Sequence, residues 1–152
     1  MSDVFIRPMS SMDLPRVMQI EHASYTSPWP ETSFRGLLNR SDSSLYVAES
    51  DNEVAGYAAC WAVLEQGELG NIAVAPEHRR KGVARRLMDA VVEDMRGRGV
   101  RELYLEVRVT NTSAQRLYEA YGFKQVARRP GYYTNPVEDA LVMCKRLDDR
   151  ES

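Results

Sequence analysis

The stretch Asn71-Ile-Ala-Val-Ala-Pro-Glu-His-Arg79-Arg80-Lys81-Gly82-Val83-Ala84-Arg85 decides the fold. Its apolar start reads as the end of a strand over Glu68–Ala75, which Pro76 stops. A basic loop with one glycine follows, then the clearest helix of the chain. Val83, Leu87, Val91 and Met95 recur every fourth residue, widened by Ala84, Met88 and Val92, while Arg86, Asp89, Glu93 and Arg96 face out. Gly97 or Gly99 closes it. A long helix between two strands is a crossover, so the sheet is at least partly parallel.

Working outward, Arg101–Arg108 alternates as the next strand, with Leu103, Leu105 and Val107 on one face. Ser113–Tyr121 reads as a short helix, with Thr112–Gln115 fitting a capping box and Gly122 at its end. Phe123–Arg129 and Ala140–Arg146 are the final strands. Upstream, Val4–Arg7 is a short strand, and Asp13 is placed to cap a helix carrying Leu14, Val17, Met18 and Glu21. Ser27-Pro-Trp-Pro30 breaks the chain before a second helix over Glu31–Asn39. Leu45–Glu49 and Glu53–Leu64, joined by Asp51-Asn52, read as a hairpin. The order is β-α-α-β-β-β-α-β-α-β-β, an α/β fold.

The 152 residues suit one domain, expected over residues 1–147 with a frayed tail at 148–152. Hydrophobic residues at 43% and charged residues at 28% exclude a disordered or fibrous chain. The net charge of −2 argues against non-specific binding to nucleic acid or anionic membranes. No stretch approaches the roughly 20 apolar residues of a membrane span, and the first residues lack a signal peptide's apolar run. A soluble, cytoplasmic protein is expected. Cys60 and Cys144 sit in apolar runs and read as small buried hydrophobes rather than a disulfide.

Three features could carry chemistry. Arg79, Arg80, Lys81, Arg85 and Arg86 gather positive charge at a helix start in an acidic chain. A charge run alone is usually a solvated face, but the order strand, basic loop, glycine, helix suits a phosphate. Neither a Walker loop nor a dinucleotide fingerprint is present. Glu106 is a carboxylate in mid-strand. It is either the solvent-facing half of an alternating strand or, if both sheet faces are covered, a group kept for use, with burial raising its pKa towards a general base's. Tyr118 lies on the short helix, where a tyrosine is more often core than catalyst. His22 and His78 are too few and too scattered for a metal site.

Arg79-Arg-Lys-Gly82-Val-Ala84 resembles the acetyl-CoA loop of the GNAT superfamily of N-acetyltransferases. Asn111-x-x-Ala114-x-x-Leu117-Tyr118-x-x-x-Gly122-Phe123 resembles that superfamily's second motif. Four further segments extend the likeness over nearly the whole chain: Pro28–Phe34, Asn71–Val74, Leu105–Arg108, and Arg128-Arg129-Pro-Gly-Tyr132-Tyr133 with Glu138-Asp139-Ala140. They resemble the superfamily's ribosomal-protein alanine N-acetyltransferases, which modify the N-terminal alanine of a small-subunit ribosomal protein. One departure is Pro130-Gly131, which lengthens the link before the tyrosine pair.

The resemblance implies a mixed, mostly antiparallel sheet splayed between its fourth and fifth strands, with helices on both faces. It implies acetyl-CoA as cosubstrate, no metal, and no nucleic-acid or membrane partner. Ile72, Ala73 and Val74 would pair with the pantetheine arm through their backbone. Arg79, Arg80, Lys81, Gly82, Val83, Ala84 and Arg85 would cradle the pyrophosphate, and Asn111 would touch the cofactor. Glu106 would be the general base and Tyr118 the general acid, with Trp29, Tyr132 and Tyr133 at the acceptor. Another protein N-terminus, a lysine or a small amine as acceptor, or a non-catalytic acyl-CoA sensor, are the alternatives.

Overall fold

A computed structural model describes residues 3–147; the expected tail at 148–152 lies outside them. The strands are β1 (Phe5–Pro8), β2 (Ser43–Ser50), β3 (Glu53–Val63), β4 (Gln66–Val74), β5 (Glu102–Arg108), β6 (Lys124–Thr134) and β7 (Val137–Arg146). The helices are α1 (Leu14–Ser24), α2 (Glu31–Leu38), α3 (Val83–Gly97) and α4 (Thr112–Ala120). The strands follow the order β1-β2-β3-β4-β5-β7-β6. β4 and β5 run parallel, while β1–β2, β2–β3, β5–β7 and β6–β7 are antiparallel. The sheet is therefore mixed and mostly antiparallel, as expected.

The chain forms two compact units. The first runs up to Trp61 and adds Leu69–Asp94; the second comprises Ala62–Glu68 and the chain from Met95 onward.

In the first unit, Asp51 and Asn52 both have positive φ (55° and 63°), the geometry a two-residue hairpin between β2 and β3 requires. Helical spacing turns Leu14, Val17 and Ile20 inward from α1, and Phe34 and Leu37 from α2. They join Leu45, Val47, Tyr57 and Ala59 in one apolar core. Asp13 does not cap α1. Its carboxylate accepts from the Arg7 guanidinium at 2.8 and 2.9 Å and from the Ser10 N–H at 2.8 Å. Ser10 caps the short 3-10 turn Ser11–Asp13 that leads into the helix. An arginine in reach offers a carboxylate two charge-assisted hydrogen bonds, more than a cap supplies.

In the second unit, β5 buries Leu103, Leu105 and Val107 and leaves the alternate residues half-buried, as its pattern predicts. β6 is an exposed edge strand paired to β7 on one side. The pairing jumps from Arg129↔Ala140 to Tyr133↔Glu138. Pro130, Gly131 and Tyr132 thus stand opposite Asp139 alone, a bulge that absorbs the two extra residues. Gly131 has φ +61°, and its N–H donates to the Asp139 carboxylate at 2.9 Å. Cys60 is buried, Cys144 is only half-buried, and both are free thiols.

Candidate active site

The basic loop belongs to the first unit. β4 ends at Val74, a 3-10 turn spans Pro76–His78, and the loop enters α3 at Val83. Ala75 donates its N–H to the Ala55 carbonyl at 2.7 Å, and the Ala73 carbonyl lies against Gly56. The strand's alternation then turns the polar groups of Ile72 and Val74 to its other edge. Of the three residues expected to pair with the pantetheine arm, Ala73 is thus turned towards β3. The Ile72 carbonyl accepts from the Tyr25 hydroxyl at 2.7 Å, and Arg79 Nε reaches the Val74 carbonyl at 3.4 Å.

Two residues of the loop, Arg80 (φ +66°) and Gly82 (φ +79°), are left-handed. A left-handed arginine costs about 1–2 kcal/mol, and such strain gathers at functional loops. Turns of this kind build concave backbone N–H sites for anions. A Cβ at Gly82 would meet nothing within 4 Å, so no packing explains the glycine. Arg79, Arg80, Lys81 and Arg85 are exposed; Ala84 is half-buried, and Val83 anchors the loop in the core.

Lys81 is committed elsewhere: its ammonium lies 3.1 Å from Asp51 and 3.2 Å from His78 Nδ1. Nδ1 therefore accepts, and Nε2 faces the Glu53 carboxylate at 2.6 Å. Glu53, Glu77 and His78 do come together. Arg16 lies 2.7 Å from Glu77 and 3.7 Å from Glu53, so the cluster is an ion-pair network rather than a ligand set.

Glu21 is the residue that sequence reading passed over. It falls in the apolar row of α1 and is fully buried. Its carboxylate accepts from the Tyr57 hydroxyl, from the Trp29 N–H at 2.8 Å and from the Asn71 amide at 2.9 and 3.1 Å. Burial holds its pKa above the usual carboxylate range, against the pull of those donors. Trp29 packs on Phe34 and Trp61, and a Cβ on Gly70 would strike both tryptophans. Three successive residues of β4, Gly70, Asn71 and Ile72, thus each meet the α1–α2 segment.

The second unit holds the two residues expected to move protons. Glu106 is half-buried, its side chain 17% exposed. Its carboxylate accepts from Arg129 Nη1 at 2.6 Å and from the Tyr132 hydroxyl. Arg129 lies over the Tyr132 ring at 4.3 Å, and Tyr132 meets Tyr133 edge-on at 5.0 Å. The bond to Glu106 and burial push the Tyr132 hydroxyl up to about 12. Burial and the Glu106 charge do the same for Tyr133. Glu68 of β4, which the sequence marks only as a strand end, acts on Arg129 and Tyr132 through its charge.

Tyr118 is buried on α4, edge-on to Phe123 at 5.9 Å. Burial, with the nearby Tyr133, raises its hydroxyl well above tyrosine's ordinary value. Asn111, rather than Thr112, caps α4: its side-chain oxygen accepts from the Ala114 N–H at 3.2 Å.

The fold is that of an acetyltransferase. The acetyltransferase (GNAT) family matches residues 14–123, and the chain belongs to it. It is an acetyl-CoA-dependent N-acetyltransferase. Within the family it is similar to RimI, the ribosomal-protein alanine N-acetyltransferase. It is 37% identical over 138 residues to the [ribosomal protein bS18]-alanine N-acetyltransferase of Salmonella typhimurium, covering 90% of this chain and 93% of that one. The crystal structure of the ribosomal-protein-S18-alanine N-acetyltransferase from Escherichia coli matches with a TM-score of 0.88 at 32% identity, over 95% of this chain and 94% of that one. Arabidopsis thaliana NAA60, in complex with a bisubstrate analogue, shares the fold at a TM-score of 0.86 and 23% identity, over 95% of this chain and 99% of that one. No helix among the described residues is long and apolar enough to cross a membrane.

Proposed function

We propose that this chain transfers the acetyl group of acetyl-CoA to the N-terminal α-amine of a ribosomal protein, that of bS18 with its N-terminal alanine, with Glu106 as base and Tyr118 as acid. The names of the relatives support the acceptor. The observation that carries the chemistry is the half-buried Glu106 carboxylate, set against Tyr132 and already holding a cation.

The pyrophosphate is held by backbone N–H groups of the loop from Arg79 to Arg85 and by the positive end of α3. Ile72 and Val74 offer backbone groups to the pantetheine arm. An α-amine with a pKa of about 8 is mostly protonated at neutral pH, so a base must take a proton before nitrogen can attack. Glu106 takes it. The amine adds to the thioester carbonyl, a β4 backbone N–H steadies the oxyanion, the C–S bond breaks as the Tyr118 hydroxyl protonates the thiolate, and the acylated nitrogen gives its second proton to solvent, from which Tyr118 is reprotonated. Trp29, Tyr132 and Tyr133 shape the acceptor site.

The test is a pH–rate profile of the parent and Glu106→Gln on two peptides. One begins with alanine; the other has a blocked N-terminus and one internal lysine. On the alanine peptide at pH 7, Glu106→Gln loses about 10²–10⁴-fold. The loss shrinks towards pH ~9, where the α-amine is already neutral. Parallel profiles of similar rate overturn the base, and preference for the lysine peptide overturns the N-terminal acceptor.

A further inference from the structure

Two arginines lie on two neighbouring tyrosines, and they are held differently. Arg108, 4.3 Å over the Tyr133 ring, has a side chain only 19% exposed. It donates to the Glu138 carboxylate at 2.9 Å and to the carbonyls of Pro136 and Asn135 at 3.2 and 3.4 Å. Glu138 is fixed in turn by the Thr110 N–H at 2.8 Å and by the Thr110 hydroxyl. That arginine is part of the hairpin's frame.

Arg129 is 54% exposed and comes from the bulged edge strand; its guanidinium bonds to Glu106 and lies on the Tyr132 face. A carboxylate beside an aromatic face, with a second carboxylate, Glu68, adding its field, is a seat for a cation. The acceptor in the proposed reaction arrives as a cation, the protonated α-amine, and must deliver its proton to this same carboxylate.

Resting on that reading, we propose that Arg129 occupies the seat of the acceptor's α-ammonium on Glu106 and is displaced when the acceptor binds. The exchange replaces one cation on Glu106 by another, so the carboxylate is never left without a partner. A half-exposed ion pair is weak enough to be exchanged. Arg129 is therefore a competitor built into the fold. It favours acceptors whose amine is charged and whose first residue fits beside Tyr132.

The test separates acceptor KM from kcat in Arg129→Gln and Arg129→Lys, using the peptide that begins with alanine. Removing the competitor in Arg129→Gln lowers the acceptor's KM about two- to fivefold without changing the KM of acetyl-CoA. Arg129→Lys, which keeps a cation, stays near the parent. Added ethylguanidinium competes with the acceptor in Arg129→Gln and raises its KM again. In a Glu106→Gln background, Arg129→Gln no longer moves that KM. An acceptor KM that rises or stays put in Arg129→Gln overturns the displacement, because Arg129 then either binds the acceptor or does not reach it. Failure of the base reading shows differently, as full kcat in Glu106→Gln.

Discussion

The Tyr25 hydroxyl donates a 2.7 Å hydrogen bond to the backbone carbonyl of Ile72, so the end of α1 is tied to β4 beside the residues proposed to meet acetyl-CoA. Trp29 against Gly70 and Glu21 on Asn71 make the neighbouring ties. Tyr25→Phe removes one hydrogen bond and keeps the ring. It is expected to cost about 1 kcal/mol of stability, read by urea denaturation. The acetyl-CoA Kd should weaken a few-fold by calorimetry, because the strand must then be ordered by the ligand. An unchanged Kd with the stability loss in place would restrict Tyr25 to packing.

Asp13 gives a pH-dependent prediction. Its hydrogen bonds from Arg7 hold its carboxyl below the usual aspartate range in the folded state. A folded pKa below the unfolded value of about 3.9 stabilises the protein above that value, and the contribution is lost as pH falls through the folded pKa. Asp13→Asn should therefore cost roughly 1–2 kcal/mol at pH 7. The difference from the parent should narrow progressively as pH falls below about 4. Denaturant midpoints followed from pH 7 down into the acid range measure it; a gap that does not narrow at all below about pH 4 would assign the loss to the capping turn rather than to charge.

Where the chain repeats a local pattern, the sequence was readable. The fourth-residue row of α3, the alternation of β5 and the Asp51-Asn52 turn are local physics, and each element lies within a few residues of its expected place. What stayed hidden depends on partners distant in sequence. Glu21 reads as one more position on the face of α1, because Tyr57 and Asn71, which satisfy it, lie 36 and 50 residues away. Asp13 reads as a cap until Arg7 folds back on it. Arg129 belongs to the quoted Arg128-Arg129 segment, yet only the bulge at residues 130–132 shows it meeting both Tyr132 and Glu106. Glu106 and Tyr118 were singled out by family resemblance alone, since composition and spacing left each with an ordinary structural reading.

Gly82 tests the loop. Its φ of +79° is unfavourable for any side chain, while the surrounding space is open. Gly82→Ala should therefore destabilise by only about 1–2 kcal/mol, through backbone strain alone. Acetyl-CoA affinity should fall at least tenfold, because a Cβ would stand where the backbone has to approach phosphate. Gly82→Val should bind more weakly still. The same assay run against salt should show the parent's affinity declining as charge-assisted phosphate contacts are screened. Retained affinity in a folded Gly82→Val would move the phosphate site elsewhere.

Tyr118 carries the proposed acid step. Its ring is buried against Phe123, while the hydroxyl is the group assigned to the leaving thiolate. Tyr118→Phe keeps the ring and so should keep the fold and the acetyl-CoA Kd. A positioned acid contributes about 10²–10⁴-fold, so kcat should fall within that range. Burial and the neighbouring Tyr133 raise the hydroxyl above tyrosine's ordinary value, so it remains protonated throughout the range in which an α-amine titrates. The parent's kcat should accordingly rise and level off between pH 7 and about 9.5, with no alkaline decline from a tyrosinate. Single-turnover rates across that range, for the parent and Tyr118→Phe, decide the matter. A kcat within twofold of the parent would make Tyr118 a core residue. A loss shared equally by kcat and the acetyl-CoA Kd would place its effect in packing, and a loss confined to kcat supports the acid.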